Sequence, residues 1–229
     1  MKTIEIQKIG QDPFYGPIDP KNNFWENSTN LVIDNFLGKI SSHKPRTNVL
    51  VQYSESGFYL HYEVIDKFVL AKHTKHNSNV FEDSCVEFFV EPYGADGYFN
   101  FEFNCIGTKL ASFIRNNSLN DEGEFTDYQK LGIEDLNSIK VASSLSAPIT
   151  NEITDSIKWS LATFIPFKII LENTGMKRLN FDKAWKCNFY KCADKSSQPH
   201  WASWNPITHL NFHQPTDFGE IIFQYRMNK

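Results

Sequence analysis

The chain has 229 residues, a formal net charge of -4 and an aromatic load of 20 Phe, 9 Tyr and 5 Trp. Its Lys and Arg form no clustered run, which argues against a nucleic-acid grip or a basic membrane-surface stretch, and no segment approaches the ~18 apolar residues of a membrane span. The length suffices for one sizeable core without a disulfide or metal staple, and no repeat, linker or low-complexity tract divides it, so 1–229 reads as a single domain.

The opening MKTIEIQKIG carries charges at positions 2, 5 and 8 with no apolar run behind them. No signal peptide is expected, and location in the cytoplasm is the default. From Thr47 to Tyr53 apolar residues alternate, Ser54-Glu55-Ser56-Gly57 turns the chain, and Phe58, Leu60, Tyr62 and Val64 alternate back. That pattern predicts a β-hairpin. Glu82 to Pro92 reads as a further strand, closed by a turn through Gly97. In the next strand Phe99, Phe101, Phe103 and Cys105 share the core face, and Asn100, Glu102 and Asn104 project from the other. Leu110 to Ile114 reads as a short strand and the polar stretch 116–132 as a surface excursion. A strand carrying Trp159 follows. Pro166 to Leu171 opens one short helix, with Gly175 beyond its end. Ala184 to Cys192 and Phe218 to Tyr225 complete the set. The expected fold is all-β, an antiparallel two-sheet β-sandwich of immunoglobulin or jelly-roll type with one short helix.

Cys85, Cys105, Cys187 and Cys192 read as core thiols, with neither the spacing nor the histidine pair of a zinc site. Cys187 and Cys192 lie an odd number of residues apart, so in a regular strand they face opposite ways. Nucleophile elbows, zinc-protease motifs and phosphate-binding glycine loops are all missing. Glu87 and Glu102 sit on the polar faces of adjacent strands, where two carboxyls could flank a glycosidic bond; exposed sandwich faces carry such charges routinely. A sugar binder wants aromatic rings for C–H faces and polar side chains for hydroxyls. Trp201, Trp204 and Phe212 in the segment 199–215 could supply the rings; Glu87, Glu102, Asn104, Asn188 and Tyr190 could supply the polar groups. The same residues could equally pack a sandwich edge and meet water.

From about Trp25 to Phe223 the chain resembles carbohydrate-binding module family 9. The resemblance runs through 77-NSNVFEDSCVEFF-89, 100-NFEFN-104, 185-WKCNFY-190, 203-SWNP-206 and 212-FHQPTDFG-219. It implies a β-sandwich that grips sugar ends between two aromatic side chains without catalysis, in a role linked to carbohydrate catabolism. Phe81 and Phe212 stand where the family has tryptophans, and Glu87 matches its strand glutamate. Glu102, at a typically basic position, and Asn104 match its polar pair; Tyr190, with Lys191 beside it, and His209 fall at two amide positions. Trp204, Asn188 and the Phe218-Gly219 turn read as structural. The implied partner is a carbohydrate. Family members can hold calcium, but no contiguous oxygen-ligand loop here points to it, and no cofactor is expected. A protein-interaction or structural module on the same fold is the rival function, and a glycoside hydrolase a third.

Overall fold

The computed structural model of the chain describes residues 1–10, 23–38 and 42–225. In chain order its strands are β1 (Thr3–Lys8), β2 (Thr29–Ile33), β3 (Asn35–Leu37), β4 (Arg46–Tyr53), β5 (Gly57–Asp66), β6 (Val69–Ala71), β7 (Cys85–Glu91) and β8 (Tyr98–Asn104). They continue with β9 (Lys109–Leu119), β10 (Phe125–Lys130), β11 (Lys140–Ser143), β12 (Ile149–Ile153), β13 (Ile157–Pro166), β14 (Trp185–Cys192), β15 (Trp201–Ser203) and β16 (Gly219–Gln224). Two helices, α1 (Ile133–Ser138) and α2 (Phe167–Thr174), interrupt them.

The all-β expectation holds, and its finer form needs correcting. Fourteen strands are hydrogen-bonded into one curled sheet, in the order β10-β9-β8-β7-β14-β16-β1-β4-β5-β13-β11, with β2 on β4, β15 on β14 and β3 on β15. The pairing is not wholly antiparallel, because β1 runs parallel to both β16 and β4. The curl brings distant parts of the sheet face to face. The rings of Phe58 (β5) and Phe88 (β7) meet edge to face at 5.3 Å, although β14, β16, β1 and β4 lie between their strands. Phe99, Phe101, Phe103 and Cys105 join this main core as alternation requires, together with Trp159, Trp185 and Phe223.

The 47–64 hairpin forms with Tyr53 opposite Phe58. Helix α2 follows Pro166 and ends at Gly175, whose φ of 70° is the left-handed cap that glycine adopts at no steric cost. Helix α1, a second helix where one was expected, lies just past the polar stretch, which is itself a hairpin of β9 and β10 extending beyond the core. Gly219 is the first residue of β16 and makes no tight turn. A Cβ there would come 2.5 Å from the Trp204 ring and 2.6 Å from the Lys2 carbonyl, so close approach demands the glycine. All four cysteines are free and buried, and Cys187 and Cys192 lie in different clusters on opposite sides of β14. Among the described residues no helix is long and apolar enough to cross a membrane.

Candidate ligand-binding site

Three neighbouring strands build the site. On β7, Val86 and Phe88 enter the main core, so Cys85 and Glu87 take the outer face. Strand register then sets Glu87 opposite Tyr190 of β14 on one side and Glu102 of β8 on the other. The next rung is Cys192, Cys85 and Asn104.

Sequence pattern alone reads this face as solvated, and the structure corrects that. Glu87 is 2% exposed and Glu102 4%. The reason lies in the segment between β15 and β16, which folds over the strands. Its Ile207, Phe212 and Phe218 join Phe89, Tyr98, Leu110 and Tyr190 in a second apolar cluster. The Asn188 side chain pins that cover, accepting from the Asn205 amide at 2.8 Å and donating to its carbonyl at 3.0 Å. Trp204 is buried in the main core with its ring edge-on to Phe189, and takes no part in the outer face.

Between cover and strands remains a cavity of about 240 Å³. Four residues singled out from sequence line it together: Phe81, Glu87, Glu102 and Phe212. Trp201, one of the loop aromatics, is a fifth. Asn104, Tyr190, Lys191 and His209 do not line it. The Asn104 amide is consumed in structure, donating to the His73 carbonyl and Asp83 and accepting from the Thr108 N–H, each at 2.8 Å. Tyr190 lies beneath the wall: its ring stacks on Phe212 at 4.1 Å and its hydroxyl donates to the Phe212 carbonyl. Lys191 points to the opposite face of β14, where its Nζ is 3.2 Å from Asp66 Oδ2. His209 is exposed on the cover.

The cavity also takes Cys192, Asp194, Asn211 and His213, which sequence reasoning passed over. Period two from Tyr190 would have placed Cys192 on this face. Nothing in the local pattern announces Asp194, which turns inward because Trp201 Nε1 donates to its Oδ1 at 2.7 Å.

Burial dominates the electrostatics. It pushes the Glu102 carboxyl up to about 8, even though the Asn100 amide donates to Oε1 at 2.8 Å; Asp194 adds repulsion. Glu87 is driven well above the carboxylate range by burial, then by Cys192 and Glu102, while the Cys192 thiol donates to its Oε1 at 3.0 Å. Burial raises Asp194 as well. Burial pulls His213, hydrogen-bonded to the Tyr98 hydroxyl at 2.9 Å, down to about 4. Burial thus favours the uncharged form of the Glu87 and Glu102 carboxyls and of the His213 imidazole alike.

Two groups of side chains among the described residues bring possible metal ligands within 4.8 Å of one another: Cys85, Glu87 and Cys192, and His43, Asp66 and His200. Neither is the all-oxygen set that calcium takes. In the second, the Lys191 ammonium already sits 2.8 Å from His200 Nε2 and 3.2 Å from Asp66 Oδ2, where a cation would go.

The model of carbohydrate-binding family 9 matches residues 23–223. A candidate carbohydrate-binding protein from Bacteroides uniformis is 29% identical, with a TM-score of 0.83, over 97% of this chain and 99% of that one. A family 9 module from Caldicellulosiruptor kristjanssonii in complex with glucose shares the fold at a TM-score of 0.63 and 14% identity, over 100% of this chain and 98% of the other. The cellotriose complex gives 0.62 and 16%, over 99% and 96%. No curated protein matches the sequence. With a family model matched along nearly its whole length, the chain belongs to carbohydrate-binding family 9.

Proposed function

We propose that the cavity holds the end of a saccharide without transforming it, in a role tied to carbohydrate catabolism. The observation that carries this reading is the convergence of three aromatic side chains (Phe81, Trp201, Phe212) and the buried carboxyls of Glu87 and Glu102 on one small cavity. Sugars offer apolar C–H faces and a rim of hydroxyls, and recognising them takes both kinds of group. A volume of about 240 Å³ falls below the ~300–1,000 Å³ typical of sites for larger ligands. It suits a terminal ring better than a long stretch of chain. The glucose and cellotriose complexes of the Caldicellulosiruptor module lend support.

Glu87 and Glu102 also stand opposite each other as a hydrolase's carboxyl pair would. Hydrolysis needs one of the two ionised, however, and burial drives both above the usual carboxylate range, Glu102 to about 8. A glycan array followed by calorimetry on each hit tests the binding role. Saturable binding that weakens in Phe81→Ala is the expected result. A folded protein that binds no saccharide would overturn it in favour of a protein-interaction role.

A further inference from the structure

We propose that Cys85, Cys192 and Glu87 form a binding site for a thiophilic divalent cation, zinc foremost, in the wall of the cavity. Such an ion can bind whether or not the cavity takes a saccharide.

The first ground is placement. Cys85 and Glu87 share the outer face of β7, and strand register sets Cys192 of β14 directly opposite Cys85. The two sulfurs and a carboxyl oxygen of Glu87 all lie within 4.8 Å of one another, with Cys192 Sγ 3.0 Å from Glu87 Oε1. A tetrahedral zinc ion, about 2.3 Å from sulfur and about 2.1 Å from oxygen, needs its ligand atoms about 3.5–3.8 Å apart. Small side-chain rotations on two paired strands suffice. No local motif announces the set, because Cys85 and Cys192 are more than a hundred positions apart in the chain.

The second ground is the chemistry of the ligands. Thiolates favour zinc and ions like it over calcium or magnesium. Two of them balance a dication's charge in full, so the ion can lodge among buried groups without stranding a charge. The Glu87 carboxyl, 2% exposed, is served only by the weak thiol donor of Cys192. Three protein ligands leave the fourth position of the ion to water or another oxygen. Glu87 and Cys192 line the cavity, which gives the ion and that fourth ligand a way in.

The third ground is a contrast within the molecule. Cys105 and Cys187 sit in the main core, and neither joins a group of possible ligands among the described residues; they are small hydrophobes. The other group, His43, Asp66 and His200, is already filled by the Lys191 ammonium. Beside Glu87 and Cys192 no described Lys or Arg lines the cavity. Lys191 acts on Cys85 from the opposite face of the sheet, as the smallest of the influences on that thiol.

The test is titration of the whole chain, kept reduced, with Zn²⁺ followed by calorimetry and with Cd²⁺ followed by sulfur-to-metal absorption in the ultraviolet. One ion per chain is expected, bearing the absorption of thiolate ligation. Cys85→Ser and Cys192→Ser should each weaken binding by about a hundredfold or more, since even a group that merely orients a ligand is worth about 10–100-fold. Glu87→Gln should weaken it about tenfold, and Cys187→Ala should leave it unchanged. Saturating zinc should also raise the melting temperature of the parent, a measurement that needs no variant. No ion bound, an ion bound without thiolate absorption, or binding that survives the loss of Cys85 and Cys192 would overturn the proposal. Each outcome is read without sugar, so the saccharide role stands or falls separately on the glycan array.

Discussion

Lys191 and Cys192 are neighbours in the chain and point to opposite faces of β14, and the carboxyls beside them meet opposite fates. On the inner face Asp66 Oδ2 lies 3.2 Å from the Lys191 ammonium, and its Oδ1 is hydrogen-bonded to His43 Nε2 at 2.7 Å. Burial works against its charge, yet the Lys191 ammonium and the His43 bond outweigh that, and the carboxyl titrates well below the usual aspartate range. On the outer face, one residue along, Glu87 and Glu102 are just as buried, no described Lys or Arg lines their cavity, Lys130 offsets the rise in Glu102 only in part, and both titrate well above the usual glutamate range. An acid sealed in with its counterion is architecture. Acids sealed in beside a cavity and shifted upward are the kind of group that gathers at functional sites.

The largest effect that can break this comparison is Lys191→Met. It strands a fully buried carboxylate, and removing one partner of such a pair costs about 3–5 kcal/mol. Because the Asp66 value is depressed on folding, its contribution is present above the unfolded pKa of ~3.9 and lost as pH falls further. Urea unfolding should therefore show a large loss in Lys191→Met at pH 7 that shrinks in acid. An equal loss at both pH values would mean that Lys191 only fills space.

Glu102→Gln should move stability the other way. The unfolded carboxyl ionises near 4.5, while the folded one keeps its proton to about 8. Between those values folding must take up a proton, so this residue destabilises the protein increasingly as pH rises. Replacing it with an amide, whose oxygen can still accept from Asn100, should stabilise by about 3 kcal/mol at pH 7 and by almost nothing below pH 4.5. A variant less stable than the parent at neutral pH would show that Glu102 is satisfied in a way the geometry does not contain.

The two aromatic positions named from sequence should also part company. Phe81 is half-buried in the cavity lining, whereas Phe212 is 9% exposed and stacked on Tyr190. Phe81→Ala is expected to cost about 1–3 kcal/mol of saccharide affinity with little change in melting temperature. Phe212→Ala should lower both, since it uncaps the second cluster. Melting and titration of the same two proteins decide it; a Phe81→Ala protein that melts far below the parent would make that ring a packing element.

What sequence could and could not tell follows from the range of the interactions. The hairpin of β4 and β5, the strand carrying Phe99 and Phe101, and the Pro166–Gly175 bounds of α2 were legible because period two and helix caps are local signals. The single curled sheet was not, since the parallel pairing of β1 with β16 joins residues more than two hundred positions apart. At the site, alternation put Glu87 and Glu102 on one face correctly. It could not show that 204–218 would fold over that face and turn polar, solvated positions into buried ones. The same blindness placed Lys191 among ligand residues: Cys192 beside it lines the cavity, and Lys191 turns to the other face with Cys187 and Phe189.

The smallest expected effect is none. A glycoside hydrolase divides its carboxyl pair into one protonated acid and one ionised base or nucleophile, and the environments of the two must differ for that to happen. Here burial raises both Glu87 and Glu102, Glu102 to about 8, and the proximity of Glu102 pushes Glu87 further up. Asn100 donates to one and Cys192 to the other, and neither contact is strong enough to hold a negative charge against the burial. A carboxyl that keeps its proton cannot attack an anomeric carbon or draw a proton from water, and protonation of the leaving oxygen alone leaves no partner to complete the reaction. Aryl glycosides should therefore pass through the cavity unhydrolysed in the parent, in Glu87→Gln and in Glu102→Gln alike, at neutral pH and below. Reproducible turnover abolished by either substitution would show that a bound sugar splits the two carboxyls apart, and the outer face of β14 would then be an active site rather than a receptor.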